Sequence, residues 1–304
     1  MFWVHIVHIV HIVHVFSGAD GGFKVRPLFL HQPGSREADM IYGFMVYEKA
    51  VEHCFEYAQN YGIGHLEIDL KKKHSHLHTF TPERIATIRH LAETTGISLS
   101  LHPPFNINPS SPFPWVRRYY LLYLKKVIRL AQQLKVSHIT LHIGSFFRTA
   151  IWSNPREQTL EKLCKTLRRL LPLCEPFGIS LALENVIPIP PESGFSYLGD
   201  SIADFHYIFS HLESDCLSFC LDTGHANTNA GPLAYVEALG PKITCVHFHD
   251  NHGTRDEHQD IGNGTVPWKE LLAALNKINF HGPYVSECFR SSPHDAISQL
   301  KAFL

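Results

Sequence analysis

The sequence predicts a single-domain α/β protein, a (β/α)8 TIM barrel, on three observations. Eight short apolar runs alternate with amphipathic stretches between Met40 and the C-terminus, and eight strands each followed by a helix is the count of that barrel. A doubly wound open sheet also alternates, but it usually carries a Gly-rich phosphate turn after its first strand, and none stands here. From the third run onward, the end of each run bears a His, Asp or Glu, and the C-terminal strand ends are where this barrel builds its active sites.

Residues 1–39 stand apart from that pattern. His5-Ile6-Val7, His8-Ile9-Val10 and His11-Ile12-Val13 repeat every three residues, which matches neither the helical period of about 3.6 nor the strand period of about 2. With no basic leading region and no small-residue cleavage site, the stretch makes a poor signal peptide. It is expected to be an extension outside the barrel core, with residues 40–304 forming the barrel. Strands are then expected at Met40 to Val46, His65 to Leu70, Ile97 to His102, His138 to Gly144, Ile179 to Val186, Leu217 to Asp222, Ile243 to Asp250 and Tyr284 to Phe289. Helical stretches between them include Pro155 to Cys174 and Trp268 to Ile278. Thr81-Pro82-Glu83 opens the second helix with a capping hydroxyl and a proline at the first helical position.

Composition narrows the function. The 304 residues are 44 % apolar, enough for one large core. With 27 basic and 28 acidic side chains the formal charge is -1, so nothing draws the whole molecule to nucleic acid or anionic membrane. No apolar run approaches the roughly 20 residues of a membrane span. Seven cysteines, an odd number without a CxxC pair and mostly inside apolar segments, read as reduced buried thiols in a cytoplasmic protein. Histidine is abundant, at 23 residues.

The densest chemistry lies between Val246 and His258, where four histidines and three carboxylates fall within thirteen residues. Residues two apart on a strand share a face, so His247 and His249 project together, and Asp256 with His258 repeats the spacing. Imidazole and carboxylate are ordinary ligands of zinc and manganese. Earlier strand ends add His102, His142, Glu184, Asp222 and His225, and the last strand adds Glu287. Taken singly, such a residue is commonly a hydrogen-bonded core or cap residue. Six consecutive strand ends converging on one barrel mouth point instead to bound cations, because buried carboxylates and imidazoles are costly unless paired or metal-bound.

The segments Leu101 to Asn108, Leu141 to Ser145, Leu183-Glu184-Asn185, Leu221 to His225, His247 to His258, Gly262-Asn263-Gly264 and Ser286-Glu287 together resemble the xylose isomerase-like TIM barrels. That superfamily contains endonuclease IV (AP endonuclease family 2) and the sugar isomerases and epimerases. The endonuclease branch implies a three-zinc site on His102, His142, Glu184, Asp222, His225, His247, Asp256, His258 and Glu287. The isomerase branch implies one divalent ion, often manganese, on Glu184, Asp222, His247 and Glu287, with Glu184 and Glu287 also moving protons. All of these positions are filled, so one to three ions remain open.

This sequence departs from the endonuclease at two places. Its Asn-Asp-Ser-Lys stretch reads His249-Asp250-Asn251-His252 here, and the loop from Ile187 to Gly194 has no basic residue. Phosphate contacts to DNA come largely from Lys and Arg. The basic residues expected near the mouth are Arg117-Arg118, Arg148 and Arg255. The favoured reading is therefore a metal-dependent isomerase or epimerase of a small-molecule sugar or sugar phosphate. In it Glu184 and Glu287 are catalytic, and His225 and Arg255 hold substrate oxygens. An endonuclease IV-like phosphodiester hydrolase, with nucleic acid as its partner, is the alternative.

Overall fold

The computed structural model describes residues 40–148 and 153–304; the expected extension at residues 1–39 lies outside them. The chain runs β1 (Ile41–Val46), α1 (Val51–Asn60), β2 (His65–Asp69), α2 (Pro82–Thr95), β3 (Ser98–His102), α3 (Pro114–Leu134), β4 (His138–Leu141), β5 (Ser145–Phe147), α4 (Pro155–Cys174), β6 (Ser180–Glu184), β7 (Phe195–Tyr197) and α5 (Ile202–His211). It continues through β8 (Leu217–Asp222), α6 (Thr223–Asn227), α7 (Pro232–Leu239), β9 (Ile243–Phe248), α8 (Trp268–Lys277), β10 (Pro283–Ser286) and α9 (Pro293–Lys301). Eight strands close a parallel barrel in the order β1-β2-β3-β4-β6-β8-β9-β10. All eight expected runs are its staves.

The remaining strands, β5 and β7, pair antiparallel as a small ribbon formed by the loops after β4 and β6. Sequence periodicity does not show them, because three residues are too few to establish an alternation. The ladder also stops earlier than expected at several staves. His142, His249 and Glu287 sit just beyond the last residue of β4, β9 and β10.

Helix formation follows the local signals. The Thr81 side chain accepts a hydrogen bond from the Arg84 backbone N–H, and Gly96 closes α2 in the left-handed region at φ 73°. Along α3 the buried Leu121, Leu124, Ile128 and Ala131 recur at helical spacing and face the barrel. The outward strand positions meet them: Leu66, Ile68, Leu99, Leu101, Ile139, Leu181 and Leu183 are all buried in the main hydrophobic core. All seven cysteines are unpaired and six are buried. Among the described residues no helix is long and apolar enough to cross a membrane.

The barrel interior is unusual. Such interiors are commonly filled by branched apolar side chains in layers, yet here the buried polar residues of the staves include, below the mouth, His65, Glu67, Ser100, His138 and Thr140. Because side chains alternate along a strand, the apolar set faces the helices and this polar set faces inward. The positions at the mouth, among them Asp69, His102, Glu184 and Asp222, thus rest on a second tier of polar groups.

Candidate active site

Strand register brings the ligand-type residues to one level. Asp69 pairs with His102 across β2 and β3, and Asp222 with His247 across β8 and β9. Glu184 is the hub. Its Oε2 lies 3.1 Å from His102 Nε2 and 2.9 Å from His142 Nε2, while its Oε1 is 3.6 Å from both His225 Nδ1 and His247 Nδ1. His247 Nδ1 is also 2.9 Å from Glu287 Oε1. On the other side, Asp256 Oδ2 stands 3.1 Å from His258 Nε2 and 3.5 Å from His225 Nε2. All nine residues of the larger ligand set therefore meet in one mouth.

Backbone groups orient these rings. A carbonyl oxygen only accepts, so His102 Nδ1 donates to Pro103 O, His225 Nδ1 to Asn185 O and His258 Nδ1 to Glu287 O, at 2.8, 2.9 and 2.8 Å. Each Nε2 is left turned to a carboxylate. The Asn185 side chain ties β6 to β8 by donating to Asp222 O and accepting from the Asp222 N–H. His258 holds a left-handed φ of 45°, an uncommon conformation for a residue with a Cβ. It persists because the ring stacks between His249 and Phe289, each with its centroid 4.0 Å away. His249 is fully buried, with Nε2 3.1 Å from Asp222 Oδ1 and 3.8 Å from Asp256 Oδ1. Gly224 makes room for it, since any Cβ there would overlap the His249 ring.

The loop that carries Asp256 and His258 is anchored by Asp250. Its buried carboxylate accepts from the Asn251, Gly262 and Val266 backbone N–H groups and from Trp268 Nε1 at 2.9–3.1 Å. Asp250→Ala would strand those donors at a cost of about 1–3 kcal/mol each. We expect a net loss on the order of 3–5 kcal/mol and a fall in Tm of roughly 10 °C. A thermal midpoint within about 2 °C of wild type would show that the loop does not depend on this anchor.

Burial and mutual charge set the protonation of the site. Burial alone favours neutral rings, but Glu184 lifts His102 to about 10, Asp222 lifts His225 to about 10 and Asp256 lifts His258 to about 9. Burial likewise opposes ionised carboxyls. His142 nevertheless holds Glu184, and His225 holds Asp222, below the usual carboxylate range. Protons and a cation compete for the same groups.

The donor set fits a divalent metal. Asp222 Oδ2, His247 Nδ1 and Asp256 Oδ1 are buried and lack hydrogen-bond partners, even though His247 Nδ1 and Glu287 Oε1 are so close. Buried donor atoms that crowd together without pairing are costly, and a bound cation satisfies them. In two groups, His102 with His142 and Glu184, and Asp222 with His225 and His249, the ligand atoms all lie within 4.8 Å of one another.

Above these groups opens a cavity of about 440 Å³ whose wall includes Tyr47, Asp69, Lys71, Lys72, Phe105 and Tyr197. The basic residues at the mouth differ from those expected. Arg255 is 78 % exposed and turns to Glu257 at 3.1 Å, and it does not line the cavity. Arg148 donates to the Ile189 and Pro190 carbonyls, Arg117 donates to the Ser111 and Pro112 carbonyls, and Arg118 is exposed. Lys71 and Lys72 take their place. The carboxylate and carbonyl of Asp69 accept from their backbone N–H groups and turn the chain over the mouth. Their ammonium groups sit 4.3 Å and 4.7 Å from the ring centres of Phe105 and Tyr47. Glu67, Asp69 and Tyr47 are further site residues that motif reading passes over. The only signal for the two acids is their i, i+2 spacing with His65.

Residues 55–304 match the family model described as the xylose isomerase-like TIM barrel, and the chain belongs to that family. The uncharacterized protein MJ1311 of Methanocaldococcus jannaschii is 31 % identical over 215 residues, which cover 67 % of this chain and 69 % of that one. Fructoselysine 3-epimerase of Shigella flexneri is 23 % identical over 237 residues, or 76 % of this chain and 83 % of the relative. Among solved structures, a D-tagatose 3-epimerase-like protein superposes with a TM-score of 0.75 at 27 % identity, covering 87 % of this chain and 97 % of that one.

Proposed function

We propose that the protein is a divalent-metal-dependent isomerase or epimerase acting on a sugar or sugar phosphate. The observation that carries this is the disposition of Glu184 and Glu287 about His247 Nδ1, at 3.6 and 2.9 Å, which sets two carboxylates beside one ligand position. The epimerase names among its relatives and structural neighbours support the reaction class. Glu184, Asp222, His247 and Glu287 would hold the metal, zinc or manganese. Bound there, it would polarise the substrate carbonyl and steady the negative charge that develops on oxygen when the neighbouring carbon loses its proton.

The proton work falls to the glutamates. One carboxylate takes the proton from the carbon and the other returns one to the opposite face, as a paired base and acid. His102 and His142 fix Glu184 through Oε2, and His225, on the same cavity wall, is available to a substrate oxygen. The test is incubation with a panel of ketoses in deuterated water. Epimer formation with deuterium at the reacting carbon is expected, and it should cease on metal removal by chelation and return with zinc or manganese. Turnover untouched by exhaustive chelation would remove the metal from the mechanism.

Lys71 and Lys72 bear on the choice between a sugar and its phosphate. A charge-assisted contact is worth about 1.5–3 kcal/mol, or roughly tenfold to a hundredfold in binding. If an anionic substituent sits there, Lys71→Ala with Lys72→Ala should raise KM for the phosphate ester by at least about tenfold while changing KM for the free ketose far less. Equal effects on both would mean the lysines do not read the phosphate.

The endonuclease-like hydrolase stays as a second reading because Asp256, His225 and His258 form a further carboxylate–imidazole group within 3.5 Å contacts. Metal analysis of the purified protein separates the two. One ion per chain supports the epimerase and three support the hydrolase.

A further inference from the structure

We infer that Glu67, buried below the mouth, is a positioning residue that fixes the orientation of the His247 ring and thereby sets the metal affinity of the site. The inference rests on the metal-dependent reading above.

His247 differs from three of the histidines around it. His102, His225 and His258 each turn one ring nitrogen to a backbone carbonyl. Among the described residues, His247 has no such carbonyl partner; its Nε2, turned into the barrel interior, lies 2.9 Å from Glu67 Oε1, a close charge contact rather than an aligned hydrogen bond, and neither of these buried atoms has any other partner. The ring therefore stands between two carboxylates, Glu67 on Nε2 and Glu287 on Nδ1, both at 2.9 Å. With the proton on Nε2, facing Glu67, the lone pair of Nδ1 faces Glu184 and Glu287. A carboxylate behind a ligating imidazole fixes its tautomer and makes it more basic, and losing such a partner typically costs about 10-fold to 100-fold in metal affinity.

Glu67 is itself held rigidly and at some cost. It is fully buried. Its Oε2 accepts from Ser100 Oγ at 2.5 Å and Thr140 Oγ1 at 3.2 Å and lies 3.5 Å from His138 Nε2. His65, whose ring stacks on His138 with centroids 5.6 Å apart, contacts Ser98 and Ser100 at 2.8 and 2.9 Å. These groups make up much of the polar tier in the barrel interior. A buried charge with this retinue is poorly explained by stability alone, since well-packed apolar residues serve that purpose as well or better.

The experiment is a metal titration of the demetallated full chain, with Zn(II) or Mn(II) in competition with a chromophoric chelator, for wild type, Glu67→Gln and Thr140→Val. Glu67→Gln keeps the shape and a neutral acceptor, and it is expected to raise the metal Kd about 10-fold to 100-fold in a protein whose circular dichroism is unchanged. Thr140→Val, which removes a donor from Glu67 but no charge, is expected to raise Kd by a smaller factor, and it serves as the reading if Glu67→Gln does not fold. Equal metal affinity in wild type and the folded variants would overturn the inference while leaving the metal-dependent reading intact. A wild type that binds neither ion would overturn both, and the ketose assay would then show separately whether the protein is an epimerase at all.

Discussion

Glu184→Gln is expected to leave the protein folded and to lower turnover by at least about 10³-fold. The side chain is 1 % exposed, and four imidazoles surround its two oxygens. Glutamine keeps that shape. It removes the charge that lifts His102 to about 10, so this ring can go neutral and no uncompensated carboxylate or imidazolium is left behind. The desolvation penalty of the native carboxylate is also relieved, and the thermal midpoint should not fall when variant and wild type are compared metal-free. Function is lost for two reasons that act together, since an amide neither accepts the substrate proton at neutral pH nor ligates a cation as a carboxylate does. Turnover and metal content are measured on the same preparation. Wild-type turnover in the folded variant would remove Glu184 from the centre of the site.

Most of the barrel was legible because its staves combine two signals. The outward residues, such as Leu66 and Ile68 or Leu181 and Leu183, are apolar and recur at i, i+2, while polar ligand-type residues cluster where each run ends. Local caps such as Thr81 located a helix start. What the sequence could not convey is closure. Glu67 and Asp69 alternate with Leu66 and Ile68, and the same alternation in an open antiparallel sheet would place the acids in water. Only the ring of eight strands turns that face inward and converts Glu67 from a solvated charge into the partner of His247. The position of Lys71 and Lys72 depends on the turn at Asp69 rather than on any period, so no sequence pattern reveals it. Arg255 stands among ligand-type residues in the chain, but Glu257 lies two residues away and captures it at the surface.

Asp256 and His258 decide how many cations the mouth holds. We expect Asp256→Ala with His258→Asn to leave one tightly bound ion and to change substrate affinity more than turnover, because neither residue belongs to the set Glu184, Asp222, His247 and Glu287. Asparagine is chosen at 258 because it tolerates the left-handed backbone there. The protein should not suffer from the loss of the carboxylate. Asp256 is ionised against His225 and His258, but the latter is replaced in the same variant, and His225 keeps the carboxylates of Asp222 and Glu184 at 3.4 and 3.6 Å. Under the three-metal reading the outcome is different. His225, Asp256 and His258 then hold an ion of their own, and its departure would remove several kcal/mol of stabilisation from a phosphodiester transition state, so hydrolysis would fall by several orders of magnitude. Counting metal per chain before and after the substitutions distinguishes the cases, with one and one expected here against three and two for the hydrolase. The wild type is expected to cleave an abasic-site duplex poorly, since Lys71 and Lys72 are the basic side chains on the cavity wall and few cations are placed to grip a DNA backbone. Robust cleavage of that duplex, falling steeply with added salt as phosphate contacts require, would put the endonuclease reading first.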